Sequence, residues 1–336
     1  MRKARNYRAG TIHAHAIDSH ALAGNLLGDP TRREVPVYVP AGHSGKGLPL
    51  LVDLVGFTAG GPVHVAWKNF GENVPERLDR LIGAEGMPPV VVAFPDCFTR
   101  LGGNQYINSE AVGRWEDFLV DEVVTDIEAR FQCGGSGRRG VFGKSSGGYG
   151  AIVHALRRSD VWSAAACHSG DLDFAICYMG AVFDTVRLLG KHDRSIETFI
   201  ARFEAAPKKT DADLHALMTL AMAATYDPAP SAFLGIRLPV DLETGTLIAE
   251  RWRHWLDWDP VRLVDGLGDN LKRLKALYID CGTEDQYNLI FGARQLHRKL
   301  TARGIAHRYE EFPDNHTGID YRMDESLPFL AKALSA

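Results

Sequence analysis

Apolar residues in this chain fall into two patterns. Short, almost continuous apolar runs occur at 48–55 (LPLLVDLV), 90–94 (VVVAF), 141–142, 162–167 and 276–281 (ALYIDC), with a less pure run at 306–312. Runs of this length, bounded by Gly, Pro or Asp, predict strands buried on both faces. Between them, apolar residues recur every three or four positions. This holds at 75–82, at Phe118, Leu119, Val123, Ile127 and Phe131 within 115–131, at 151–156 (AIVHAL) and at 287–303, and it predicts amphipathic helices. A further helix is expected from about Glu325. Strand and helix alternate from 48 to 170, which predicts an α/β fold: a mostly parallel, doubly wound sheet with right-handed crossovers.

Two segments depart from the alternation. At the start, 11–17 (TIHAHAI) and 35–39 (VPVYV) are separated by Gly24, Gly28, Asp29 and Pro30, and predict two antiparallel strands. Pro36 points to an edge position or an irregular strand start. The stretch 171–259 has helical spacing at 196–203 and 214–224, joints at Pro207, Pro228 and Pro230, and no evident strand. It reads as a helical, cap-like excursion over the strand carboxyl ends, within a single domain spanning 1–336. Its tryptophans (Trp252, Trp255, Trp258) suit core packing better than a substrate platform.

Composition narrows the picture modestly. The chain is 45% hydrophobic and 24% charged, and 38 basic against 42 acidic residues leave a net charge of −4, so no nucleic-acid partner is expected. Five widely spaced cysteines with no C-x-x-C argue against a disulfide framework or a zinc site and fit a reducing compartment. The basic start lacks the apolar core of a signal peptide, and no run approaches the ~18 apolar residues of a membrane span. The expectation is a soluble, cytoplasmic protein without a membrane partner; a homo-oligomer is compatible with this composition.

The chemistry concentrates at 138–150, RRGVFGKSSGGYG. Gly143-Lys144-Ser145-Ser146-Gly147 is G-x-S-x-G between a predicted strand and a predicted helix, the setting of a nucleophile elbow. Ser145 is therefore the candidate nucleophile, and the Ser146 N–H the first oxyanion donor. Such a serine needs a base and an orienting acid, following it in the order acid, then histidine. Asp285 lies just beyond the 276–281 strand, and His316 lies in the loop after the last strand; Asp280 and Glu284 compete for the acid role. The loop Gly56-Phe57-Thr58 should supply the second oxyanion donor, with Phe57 N–H preferred. His154, His168, His297 and His307 are expected to pack or cap, and Lys144 to face solvent or form a local ion pair. Gly143-Lys144-Ser145 also looks like the end of a phosphate-binding loop. That motif needs glycine where Arg138 stands, and Val141-Phe142 abut Gly143, leaving no loop to cradle phosphates.

With these residues in view, the chain resembles the esterase family of the α/β-hydrolase superfamily that includes esterase D (S-formylglutathione hydrolase), feruloyl esterases, enterochelin esterases and the antigen 85 mycolyltransferases. The resemblance spans most of 30–170 and 270–325. It rests on Val37-Tyr38-Val39-Pro40, Gly56-Phe57-Thr58, Trp115-Glu116-Asp117-Phe118-Leu119 with Glu122, Gly143-Lys144-Ser145-Ser146-Gly147-Gly148, Asp285 and His316. It implies an α/β-hydrolase fold and a Ser-Asp-His serine esterase that acts on a small-molecule carboxylic ester through an acyl-enzyme, with no cofactor and no metal. Acyl transfer or thioester cleavage on the same triad, or a non-catalytic binding protein on the same fold, are the alternatives. By analogy Asp96, Asn104, Gln105 and Tyr106 are expected to line the cleft. Lys144 before the nucleophile and Val55-Gly56 before the oxyanion loop depart from the family pattern, and 171–259 matches no branch.

Overall fold

The buried apolar runs pair into one eight-stranded sheet. The strands are β1 (Thr11–His13), β2 (Val37–Val39), β3 (Leu50–Leu54), β4 (Val91–Ala93), β5 (Arg139–Lys144), β6 (Ala164–His168), β7 (Ala276–Gly282) and β8 (Arg308–Phe312), in the order β1-β2-β4-β3-β5-β6-β7-β8. They come from a computed structural model that describes residues 6–336; the basic start at 1–5 lies outside those residues. β2 is antiparallel to both β1 and β4, and every other pairing is parallel. This is the α/β-hydrolase fold, and the order reversal around β3 and β5 opens a crevice at their carboxyl ends.

Side-chain alternation explains why the strands read as unbroken apolar runs. In β3, Leu50, Val52 and Leu54 join the core on one face while Leu51 joins the core on the other. The first core is closed by a helix at 115–131 and by α3 (Ser146–Arg157), the second by α1 (Val74–Gly83) and the terminal helix α11 (Met323–Ser335). The 115–131 helix, α2, is continuous but winds as a π-helix over Phe118–Val123. That wider turn changes the phase, so Leu119, Val123, Val124, Ile127 and Phe131 are all buried.

Several boundaries differ from the expectation. The 11–17 run divides: β1 joins the main sheet, while Ala16–Asp18 pairs with Arg32–Glu34 in a separate ribbon. Pro36 falls at the break before β2, which is flanked on both sides, so the irregular start holds and the edge position does not. Trp162 precedes β6 and donates its indole N–H to His154 Nδ1 at 3.0 Å. The helix expected from 287, α10 (Leu289–Ala302), begins after Asn288, whose φ of 62° cannot continue a helix.

Between β6 and β7 the chain is helical: α4 (Phe174–Cys177), α5 (Met179–Leu189), α6 (Ile196–Ala205), α7 (Asp211–Tyr226) and α8 (Ala249–Leu256), before α9 (Pro260–Leu271) returns against α3. Thr210 and Asp213 form a capping box at the start of α7, and the Asp259 carboxylate caps α9. Phe174, Tyr178, Tyr226 and Trp255 pack ring on ring at centroid distances of 4.7–6.2 Å, so Trp255 is core. Trp258 lies under the Arg157 guanidinium instead. No helix among the described residues is long and apolar enough to cross a membrane, and all five cysteines are unpaired.

His168 is fully enclosed, with Nδ1 2.8 Å from Asp280 Oδ1 and Nε2 2.8 Å from Ser326 Oγ. It therefore ties β6 to β7 and to α11. His168→Ala leaves a cavity and an unpartnered buried hydroxyl, and should cost about 2–4 kcal/mol. The denaturant midpoint should fall accordingly, and an unchanged midpoint would remove His168 from the structural frame.

Candidate active site

β5 ends at Lys144 and α3 begins at Ser146, leaving Ser145 alone to reverse the chain. Ser145 has φ 58° and ψ −125°, a conformation that costs roughly 1–3 kcal/mol for a residue with a side chain. Its N–H is held by the His168 carbonyl on β6 at 2.9 Å. A Cβ on Gly147 would lie 1.8 Å from the Leu54 carbonyl oxygen, and one on Gly143 would lie 2.3 Å from the same atom. Both glycines are thus required by the close passage of β3. The turn exposes Ser145 in a cavity of about 460 Å³ at the carboxyl end of the sheet.

His316 lines the same cavity, and the buried Asp285 backs it. Asp285 Oδ2 lies 2.8 Å from His316 Nδ1, and its Oδ1 accepts the Tyr287 N–H at 2.9 Å. The His316 N–H donates to Gln286 Oε1 at 3.0 Å, and the Tyr287 ring stands edge-on to the imidazole, with centroids 5.0 Å apart. These contacts leave Nε2 as the free face of the ring. Asp280 is committed elsewhere, to His168, Tyr278 and Arg322, and among the described residues no hydrogen bond joins the Glu284 side chain to His316. Ser145 and His316 share the cavity wall, but their side chains are not hydrogen-bonded here; such contacts commonly tighten only when substrate is bound.

Phe57 also lines the cavity, and its N–H has no acceptor among the described residues. Ser146 opens α3, where helix geometry leaves its N–H without an intrahelical partner. The four residues expected to line the cleft are not among those facing this cavity. Asn104 bonds the Cys97 carbonyl and the Tyr106 N–H, the Tyr106 hydroxyl donates to the Val55 carbonyl at 2.5 Å, and Asp96 accepts the Phe98 N–H. Gln105 Nε2 donates to Ser146 Oγ at 2.8 Å. Tyr106 and its loop brace the segment carrying Phe57 from behind. Gly103 packs so tightly on the Phe57 backbone that a Cβ would come within 2.2 Å of its carbonyl oxygen.

A family model described as "Putative esterase" matches residues 30–324. The chain belongs to that family. It is a carboxylic ester hydrolase of the α/β-hydrolase fold. A ferulic acid esterase is similar in structure at TM-score 0.64 and 18% identity, covering 98% of this chain and 100% of that one. An S-formylglutathione hydrolase from Agrobacterium tumefaciens is similar at TM-score 0.59 and 17% identity, covering 99% and 98%. A fluorophosphonate-binding serine hydrolase from Staphylococcus aureus is similar at TM-score 0.58 and 15% identity, covering 96% and 99%. No curated protein matches the chain.

The walls of the esterase's cavity include residues that sequence reasoning passed over. Lys144 lines the cavity rather than facing solvent, and no carboxylate lies within ion-pair distance of it among the described residues. Burial pulls its ammonium below the ordinary value, against the opposing charges of Asp320 and Asp285. His64 reaches the same wall with Nδ1 2.5 Å from the fully buried Asp53. Burial acts against charge on His64, but the Asp53 carboxylate outweighs it and holds the imidazole above its ordinary value. Asp171, three residues past β6, is buried between Ser146 and Tyr178; its Oδ2 accepts the Tyr178 hydroxyl at 2.8 Å and faces Ser146 Oγ at 3.4 Å. Its one sequence signal was its place just beyond a strand carboxyl end.

Burial pushes Asp171 up to about 6, against 3.8 for an ordinary aspartate, with Tyr178 and His316 drawing it partly back. Between those values the folded chain keeps the proton and the unfolded chain loses it. Stability from this group is therefore full below pH ~4 and declines as pH rises toward 6, by on the order of 3 kcal/mol. Asp171→Asn retains an acceptor for Tyr178 without the charge. It should match the wild type in melting temperature at pH 4 and exceed it by several degrees at pH 8. A wild type equal to the variant at both pH values would contradict this assignment.

Proposed function

We propose that this esterase works through a Ser145 acyl-enzyme, with His316 as the base and then the acid, and Asp285 as the residue that orients it. The observation carrying this reading is the convergence of a strained, exposed Ser145 and an Asp285-paired His316 on one cavity wall. Ser145 Oγ attacks the ester carbonyl carbon as its proton passes to His316 Nε2. The resulting oxyanion lies against the N–H groups of Phe57 and Ser146. Collapse breaks the bond to the leaving oxygen, which takes the proton from His316 and departs as the alcohol. Water then attacks the acyl carbon, again giving a proton to His316, and the acid leaves as Ser145 recovers its hydrogen.

Asp285 acts by holding Nδ1–H, which keeps Nε2 free as acceptor and stabilises the imidazolium. Small-molecule esters of short or aromatic acids are the expected substrates, and no step requires a metal or organic cofactor. The soluble, cytoplasmic setting belongs to the same proposal.

With p-nitrophenyl acetate, Ser145→Ala should lose turnover to near background while keeping the wild-type circular dichroism spectrum. Asp285→Asn should lower kcat by about 10⁴-fold through the wrong imidazole tautomer. Full activity in Ser145→Ala would refute the acyl-enzyme, and full activity in Asp285→Asn would remove Asp285 from the mechanism.

A further inference from the structure

A second cavity of about 720 Å³ lies between α5, α7 and the loop that follows Asp285. Its size is that of a site for a drug-sized molecule. It meets the catalytic cavity at Cys177, His215, Met218 and Tyr287, residues that belong to both walls. At that junction His215 Nε2 lies 3.2 Å from the Tyr287 hydroxyl, joining the helical excursion to the acid loop.

The direction in which the second cavity departs identifies the part of a substrate it would hold. Its walls include Gln286, Tyr287 and Asn288 but none of the oxyanion loop, Lys144, Ser145 or His316 itself. Tyr287 is the ring standing against His316. In ester cleavage the leaving oxygen must face the histidine that protonates it, and the carbonyl oxygen must face the oxyanion donors. A cavity running off the His316 side therefore extends from the leaving group. Ala181, Leu188, Ala216 and Met218 give it an apolar interior, whereas Arg187, paired with Asp184, makes its outer rim polar.

Resting on the Ser145 mechanism, we propose that this cavity is a leaving-group subsite. It takes an alcohol or thiol whose apolar body continues for several carbons beyond the scissile bond and ends at the polar rim. The helical excursion thus selects substrates by what departs rather than by the acyl group. During the first half-reaction the scissile C–O or C–S bond breaks, His316 supplies the proton, and the whole alcohol or thiol is released into this subsite.

Gly180, in the first turn of α5, allows a direct test. It lines the cavity, and a Cβ there would meet nothing within 4 Å, so a larger side chain can enter the open space without displacing the fold. Ethyl acetate, 6-phenylhexyl acetate and ethyl 6-phenylhexanoate separate leaving-group length from acyl length at nearly constant leaving-group basicity. In Gly180→Trp the kcat/KM ratio of 6-phenylhexyl acetate to ethyl acetate should fall by roughly tenfold or more, mainly through KM, because buried apolar contacts are lost. Gly180→Leu should show a smaller fall in the same ratio. The ratio of ethyl 6-phenylhexanoate to ethyl acetate should hold within about threefold, as the acyl side is untouched. An unchanged first ratio, or an equal fall in the second, overturns the assignment. Calorimetric binding of 6-phenylhexan-1-ol needs no chemistry and separates this proposal from the Ser145 mechanism. Binding by the wild type that weakens about tenfold in Gly180→Trp upholds the subsite even if Ser145→Ala retains turnover. No binding, or equal binding in both proteins, overturns it.

Discussion

Between the Leu54 carbonyl oxygen and the backbone of Gly147 there is no room for a methyl group, since a Cβ there would lie 1.8 Å from that oxygen. β3 and β5 are neighbours in the sheet, and α3 must start immediately beside them to cross back over it. This crowding forces glycine on both sides of the turn and leaves Ser145 in a left-handed conformation that ordinary residues avoid. The strain is held in place by the His168 carbonyl and by the sheet itself. A serine set this way has its hydroxyl clear of the strand and a helix amino terminus directly behind it, where negative charge is favoured.

The rest of the site can be read as support for that turn. The loop carrying Phe57 is pressed against it from one side by Gly103 and fixed at Val55 by the Tyr106 hydroxyl. Gln105 and Asp171 hold the Ser146 side chain, next to the N–H proposed as the first oxyanion donor. On the other side, the Asp285–His316 pair is steadied by Gln286 and Tyr287. Lys144, His64, Asp171 and Asp320 share the remaining wall. The cavity is therefore polar on the side nearest the elbow and more apolar toward the helical excursion.

What could be read from the sequence was what local spacing and chain order control. The sheet strands, the helix containing Phe118 to Phe131 and the helical nature of 171–259 follow from hydrophobic periodicity. The choice of Ser145, Asp285 and His316 as candidates follows from an elbow motif and two loops at strand ends. The rest depended on packing between segments far apart in the chain. Trp115 and Glu122 matched the family pattern yet serve structure: the Arg33 guanidinium lies over Trp115, and the Glu122 carboxylate accepts the N–H groups of His20 and Ala21. Asn104, Gln105 and Tyr106 follow a strand, as cleft residues do, but glycines at 102 and 103 let their loop close onto Phe57 from behind. Lys144 was expected to face solvent or form a local ion pair; as the last residue of β5 it lines the cavity instead. The junction of two cavities at His215 and Tyr287 joins residues 72 positions apart and has no local signature at all.

The helical excursion gives this esterase its own character: it roofs the cavity lined by Ser145 and His316 and carries a second one beside it, reached past Tyr287. Everything attributed to that arrangement depends on covalent chemistry at one side chain. The most direct measurement is intact-protein mass spectrometry after reaction with a fluorophosphonate, followed by peptide mapping of the adduct. The account predicts one equivalent of label, on Ser145, and markedly slower labelling in His316→Ala, where the base is gone. Label on Ser146 or any other residue, or an active enzyme that takes up none, would contradict it.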